Sequence, residues 1–290
     1  MEAITRLTKR AAAAVVLALL AASPALAQDD EKDLGWAFAA ELGSLWTGGN
    51  QETFSLAADG KLEYVWPVSR FRFELGGFTT ESSLTTTTAV GAGQDDFEVF
   101  DETVTEKTAE TYYSRARYDR DIGSRFYVFG AGDWLRNTFA GIDSRFLLSA
   151  GAGTLWVDGD RVRFSTDYAV TYTFEENVVG DPATSSEFAG LRLAYEFNWN
   201  LTESTNFEST LTGDFNLDDT DDIRLDWYNG LPIDISSVLA FKPSIRLLWR
   251  NDPALQEVPL FDGGGNATGT VFAPLQKLDT FFNLALIFKF

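Results

Sequence analysis

Residues 280–290 read TFFNLALIFKF. Every second residue from Thr280 gives Phe282, Leu284, Leu286, Phe288 and Phe290. The other register gives Phe281, Asn283, Ala285, Ile287 and Lys289. Successive side chains of a strand point to opposite faces, so this is a strand with one apolar face and one mixed face. Such a strand needs an apolar surround on one side and partners along its edges. The rest of the chain has to supply those partners.

It does so repeatedly. Gly35–Trp46, Thr53–Trp66, Arg70–Phe78, Thr108–Tyr118, Phe126–Leu135 and Arg145–Trp156 alternate in the same way, as do Arg161–Phe174, Glu187–Trp199, Thr205–Phe215, Ile223–Leu231 and Val238–Trp249. The cleanest is Arg161–Phe174. Val162, Phe164, Tyr168, Val170, Tyr172 and Phe174 share one face, and Arg163, Ser165, Asp167, Thr171 and Thr173 share the other. Phe126–Leu135 admits two parities. Phe126, Val128 and Trp134 are placed outward, because the reverse puts Asp133 into the apolar surround. Pro243 cannot donate to a ladder, so it implies a bulge within Val238–Trp249 or a misplaced strand.

No segment after residue 30 is long and apolar enough for a spanning helix, which needs about 20 residues. Only helices and closed barrels satisfy every backbone group in lipid, so a membrane location for this chain means a barrel. The expectation is an all-β, antiparallel up-and-down transmembrane barrel of about 12 strands over residues 35–290, both ends periplasmic, with ten or fourteen strands also fitting the spacing. Residues 1–27 read as a secretory signal peptide: basic Arg6, Lys9 and Arg10, apolar Ala11–Ala22, then Ala25-Leu26-Ala27 for cleavage. Residues 28–34 form a short periplasmic segment before the barrel.

The connections test this independently. Pro67–Ser69, Asp119–Ser124, Asp158–Asp160, Asn200–Ser204 and Pro232–Ser237 are short. Thr79–Lys107, Glu175–Ser186 and Asn251–Pro274 are long, although Thr47–Gln51 on the same side is short. Short turns at one end and longer loops at the other are what an outer-membrane barrel requires. A soluble β-sandwich also alternates, but it needs no outward aromatic face on every strand.

Composition narrows the function. The 290 residues carry a net charge of −20, no Cys and no His. The acidic surplus argues against nucleic acid as a partner. Without His there is no Ser-His or Cys-His pair and no imidazole metal ligand. Ser55 with Lys61 is too little for a Ser-Lys pair, so no enzyme and no cofactor are expected.

Two segments carry a family likeness. Thr47–Tyr64 (TGGNQETFSLAADGKLEY) resembles the N-terminal segment of the salt-induced outer-membrane protein family, a bacterial domain of unknown function. Arg115–Trp156 (RARYDRDIGSRFYVFGAGDWLRNTFAGIDSRFLLSAGAGTLW) resembles its central block: an R-Y-D turn, F-x-G-I-D-x-R, then a Gly/Ala-alternating strand. The resemblance implies a Gram-negative outer-membrane barrel and no established activity. The last strand, with Phe288 and Phe290, resembles the signal that the barrel assembly machinery reads. The expected surroundings are outer-membrane lipid and lipopolysaccharide.

The mixed faces would line the lumen. They place Arg70, Arg72 and Glu74 on the third segment, Arg115 and Arg117 on the fourth, Arg163 and Asp167 on the seventh, Arg192 and Glu196 on the eighth, and Arg246 on the eleventh. One reading is a basic ladder in a narrow porin-like channel for small anionic or sugar-like solutes, with Thr79–Lys107 long enough to fold inward. The other is a filled, non-conducting structural barrel tied to salt or osmotic stress. Eight strands are filled by side chains and sixteen leave a water channel, so twelve lies between. Asn216–Asp222 (NLDDTDD) offers Asp218, Asp219, Asp221 and Asp222 as a weak cation site. Counted from Asp214, it departs from a calcium loop, with Asp219 at position six where glycine belongs and Leu225 at position twelve where the bidentate glutamate belongs.

Overall fold

A computed structural model describes residues 34–47, 51–93, 96–180 and 186–289. The leader expected at residues 1–27, the segment that follows it to residue 33, and Phe290 lie outside these residues. The described chain is a closed, twelve-stranded antiparallel barrel. Its strands are β1 (Gly35–Thr47), β2 (Gln51–Trp66), β3 (Ser69–Gly93), β4 (Asp96–Asp121), β5 (Phe126–Asn137), β6 (Ile142–Asp158), β7 (Val162–Asn177), β8 (Glu187–Asn200), β9 (Asn206–Asn216) and β10 (Ile223–Gly230). A two-residue β11 (Ile233–Asp234) precedes β12 (Leu239–Arg250). A separate hairpin, β13 (Leu255–Phe261) with β14 (Ala267–Pro274), precedes β15 (Leu278–Lys289). Neighbours in sequence pair from β1 to β10. The ring closes through β10–β12, β12–β15 and β15–β1, where Ala40 faces Phe288 and Leu42 faces Leu286.

Alternation sets which side chains meet what. Phe282 is 71% exposed and Val170 62%, on a barrel whose outward positions are apolar nearly all round. A water-soluble protein does not leave an apolar belt of this extent bare, whereas a bilayer covers it. A twelve-residue strand such as β15 runs about 40 Å, or about 28 Å along the axis at the ~45° tilt of membrane barrels, which matches a hydrocarbon core. Aromatic rings gather at both edges of the belt. Trp36, Tyr64, Trp66 and Tyr118 form a chain at the turn end, with centroids 4.7, 4.3 and 6.3 Å apart. Phe146, Phe174 and Tyr172 do the same at the loop end.

Outward indoles need partners where water is scarce. Trp134 donates to Ser144 Oγ at 3.2 Å, Trp156 to Thr166 Oγ1 at 2.8 Å and Trp227 to the Tyr195 hydroxyl at 3.1 Å. The hydroxyls on the apolar face are therefore part of the belt. Phe126, Val128 and Trp134 face outward as the sequence parity requires, and Asp133 faces the lumen.

Two expectations need correction. Thr79–Lys107 is not a loop folded into the lumen. It is an upward continuation of β3 and β4, which pair from Ser69↔Arg120 to Gly93↔Asp96. Its Thr- and Val-rich alternation suits a pleated ribbon, and Ser83–Thr105 hydroxyls meet across it at 2.7 Å. Pro243 creates no bulge: β12 keeps register with β15 through Pro243↔Leu284. The break is on the other side, where β10 has ended at Gly230 and Leu231 N–H bonds to the Pro243 carbonyl at 3.0 Å. The missing donor of Pro243 faces that gap.

Candidate functional site

The lumen holds charge in three tiers. Nearest the turn end, Arg70, Arg72 and Arg117 surround Asp119, at 3.8, 3.5 and 2.7 Å. Arg117 also binds Asp167 at 2.6 Å and lies 3.9 Å over the Phe129 ring. Tyr127 donates to Asp167 at 2.6 Å. Arg72 reaches Glu196 on β8 at 3.7 Å, five strands away in a ring of twelve, so this pair spans the lumen.

In the middle tier, Arg192 binds Asp214 through two nitrogens, at 2.6 and 2.9 Å, and Asp133 at 2.7 Å. Arg115 takes the other side of Asp133 at 2.5 Å. Arg246 forks onto Asp226 at 2.8 and 2.6 Å. Lys242 pairs with Glu41 and lies 3.7 Å from Glu208. Tyr113 donates to Asp59 at 2.5 Å. Gly76 makes room for that bond, because a Cβ there would lie 2.0 Å from Asp59 Oδ1 and 2.7 Å from the Tyr113 ring. Gly76→Val is expected to separate the pair and cost about 1–3 kcal/mol, read as a lower temperature for the heat-induced gel shift of the folded barrel.

Nearest the loop end, Glu175 is met by Arg224, by Arg250 at 3.1 Å and by Arg145 at 3.9 Å. Asp222 completes this cluster, 2.5 Å from Arg224 and 3.2 Å from Arg250. Asp222 is thus committed to two arginines. The rest of the acidic run is a capped turn, with Asn216 Oδ1 accepting from the N–H groups of Asp218 and Asp219, and Asp219 Oδ1 from that of Asp221.

Of the residues expected in the lumen, Arg72, Glu74, Arg115, Arg117, Asp167, Arg192, Glu196 and Arg246 line one cavity. Arg70 stands behind it, against Asp119. Arg163 sits at the turn-end rim, half exposed and 3.9 Å from Asp158, because inward parity at a strand's first pleat leads to the rim. Glu175, Arg145, Arg250 and Asp119 were not anticipated. Three continue an inward face by one more pleat: Glu175 follows Thr173, Arg250 follows Leu248, and Asp119 follows Arg117; Arg145 opens the inward face that runs on through Leu147.

The cavity has a volume of about 1880 Å³. It is lined at the turn end by Asn200–Asn206 and Pro232, and at the loop end by Phe139, Ala140, Pro253 and Leu275. It is not centred. Of β7 only Asp167 lines it among the described residues, whereas β9, β12 and β15 contribute walls including Thr210, Thr212, Ser244 and Asn283.

The loop end is partly roofed. The β12–β15 connection leaves one wall and its base packs on the β5–β6 loop, five or six strands away around the ring. Ala254 is buried there, and Leu275 N–H bonds to the Ala254 carbonyl at 2.9 Å, closing the base of the β13–β14 hairpin. The seat is Gly141, with φ +77°, where a Cβ would lie 2.5 Å from Ala254 Cβ and 3.0 Å from Leu275 Cδ1. Asn137 Oδ1 accepts from Ala140 N–H to cap the turn that presents it, and the Gly141 carbonyl accepts from Val178 N–H at 2.9 Å. The F-x-G-I-D-x-R segment, Phe139 to Arg145, thus builds the seat, lines the cavity and supplies Arg145 to the loop-end cluster. At the hairpin tip, exposed Asp262 is held below the usual carboxylate range by the backbone N–H and side-chain amide of Asn266 and the N–H of Gly264. The tip loses that support as the pH falls through this carboxyl's range.

The model of the family described as "Protein of unknown function, DUF481" matches residues 40–258. Solved structures with a similar chain path include a NanC porin, at 9% identity over 88% of this chain and 100% of that one, TM-score 0.47. A KdgM porin aligns at 7% identity over 88% and 99%, TM-score 0.40. The anion-selective porin from Comamonas acidovorans aligns at 9% identity over 88% and 98%, TM-score 0.38. No curated protein matches the sequence.

Proposed function

We propose that this chain, which belongs to the DUF481 family of proteins of unknown function, is an outer-membrane barrel acting as a narrow passive channel for small hydrophilic solutes. The observation that carries the reading is a cavity lined by residues of both rims. Its open side presents hydroxyls, amides and carboxylates, which suit water, small ions and sugar-like solutes. The exposed apolar belt with aromatic edges supports a place in lipid, with lipopolysaccharide around the loop end and the assembly machinery acting on the last strand. No catalytic step is proposed.

The paired lattice supports a second reading, a non-conducting structural barrel serving salt or osmotic stress, because Arg72–Glu196 crosses the lumen. Conductance separates the two. The refolded protein in a planar bilayer is expected to give discrete steps, and a variant lacking the β13–β14 hairpin larger or longer ones. A correctly folded barrel that stays silent in both forms would support the structural reading and end the channel proposal.

A further inference from the structure

We propose that the channel prefers cations, a deepening of the channel reading that reverses what a row of lumen arginines suggests at first sight. Among the described residues, every barrel-strand lysine and arginine lining the cavity has a carboxylate oxygen within 4.0 Å, the loosest being Arg145 to Glu175 at 3.9 Å; the two lining cations with no ion pair, Arg161 and Lys277, stand in connections at its ends. An arginine forked onto a carboxylate, as Arg192 is on Asp214, has its donors and its charge already spent on that partner. The ladder is therefore no track for anions.

The carboxylates are not all matched in return. Asp59, Glu74 and Asp279 line the same cavity and form no ion pair among the described residues. Asp59 accepts the Tyr113 hydroxyl and lies directly across the β1–β2 pair from Glu41. Glu74 stands between Lys61 and Arg115 in the register, but those cations are held by Glu63 at 3.6 Å and Asp133 at 2.5 Å. Asp279 sits on β15 near the loop end. Asp59 and Glu74 belong to the β2–β3 wall.

The approach to the cavity has the same sign. Asp218 and Asp221 on the β9–β10 turn and Asp252, Glu257 and Asp262 on the β12–β15 connection are exposed, and Lys277 is the one cation that connection carries. The whole chain has a net charge of −20. A cleft lined by one sign of charge between low-dielectric walls concentrates the opposite ion.

The test is the reversal potential of the refolded protein, and of the form lacking the β13–β14 hairpin, across a potassium chloride gradient. The expected sign is that of potassium preference. The preference should weaken as salt is raised, since the screening length shrinks from about 10 Å at 0.1 M to about 3 Å at 1 M. The amide triple variant Asp59→Asn, Glu74→Gln, Asp279→Asn should lose at least half of the wild-type displacement of the reversal potential from zero. Arg72→Gln, which releases Glu196, should move it further toward potassium. A potential at zero or on the chloride side, with clear channel steps, overturns cation preference and leaves the channel standing. Silence of both folded forms overturns the channel itself and this inference with it.

Discussion

Removal of the strap over the loop end is expected to open the channel. The variant replaces Asp252–Gln276 with a short glycine-serine turn. It keeps the bond from Arg250 N–H to the Lys277 carbonyl, at 2.9 Å, that ends the β12–β15 ladder. What holds the strap down is small. Ala254 and Ile142 are each 6% exposed, and Leu275 packs beside them on Gly141. Burial of one such aliphatic cluster is worth about 2 kcal/mol, which sets a closed-to-open ratio of roughly 30. Time-averaged conductance should therefore rise by up to about 30-fold when the strap is gone. Gly141→Ala makes the same point with one atom group. Its Cβ would overlap Ala254 Cβ, at 2.5 Å, only while the strap is seated; at about 1–2 kcal/mol of overpacking the open fraction should rise roughly 5–30-fold. Equal conductance with and without the strap would show that the roof does not obstruct the path.

Legibility in the sequence follows from what each feature depends on. The strands were readable because lipid outside and charge inside impose a strict two-residue period. Arg161–Phe174 as read from the pattern and Val162–Asn177 as observed differ only at the ends. Features that need only parity were readable too, including the inward turn of Asp133. Heights were not. Arg72 meets Glu196 because the shear of the closed ring brings β3 and β8 to one level, and no local pattern carries the shear. Arg163 shows the same limit from the other side, with correct parity but a place at the rim. The β3–β4 extension was hidden by composition, since its acidic, Thr-rich stretch reads as loop until its β-branched alternation is counted. The strap was hidden for a different reason. Its contact joins Gly141 to Ala254 and Leu275, far apart in sequence and without periodicity, and the only local trace is a glycine placed where φ is positive.

The largest expected loss of stability comes from Glu175→Gln. The amide keeps the shape and removes the charge at the centre of Arg145, Arg224 and Arg250. The Glu175 side chain is 4% exposed, and the arginines stand between it and the cavity, so water does little to replace it. Arg224 and Arg250 would be left with Asp222, and Arg145 with no ion pair among the described residues. Removal of one partner from a buried charge cluster costs about 3–5 kcal/mol, most of it the penalty of the charges left behind. Asp143→Asn is the matched control. Its pair with Arg136, at 2.6 Å, is 40% and 44% exposed, and such pairs contribute about 0–1 kcal/mol. Urea unfolding of the two variants in the same micelle compares them directly. The double variant Glu175→Gln, Arg145→Met should recover part of the loss, because it also removes one of the stranded cations. A cost for Glu175→Gln no greater than that for Asp143→Asn would mean that water reaches behind the arginines. The loop-end cluster would then be a wet lining of the path and not one of the clamps that hold β6, β7, β10 and β12 together.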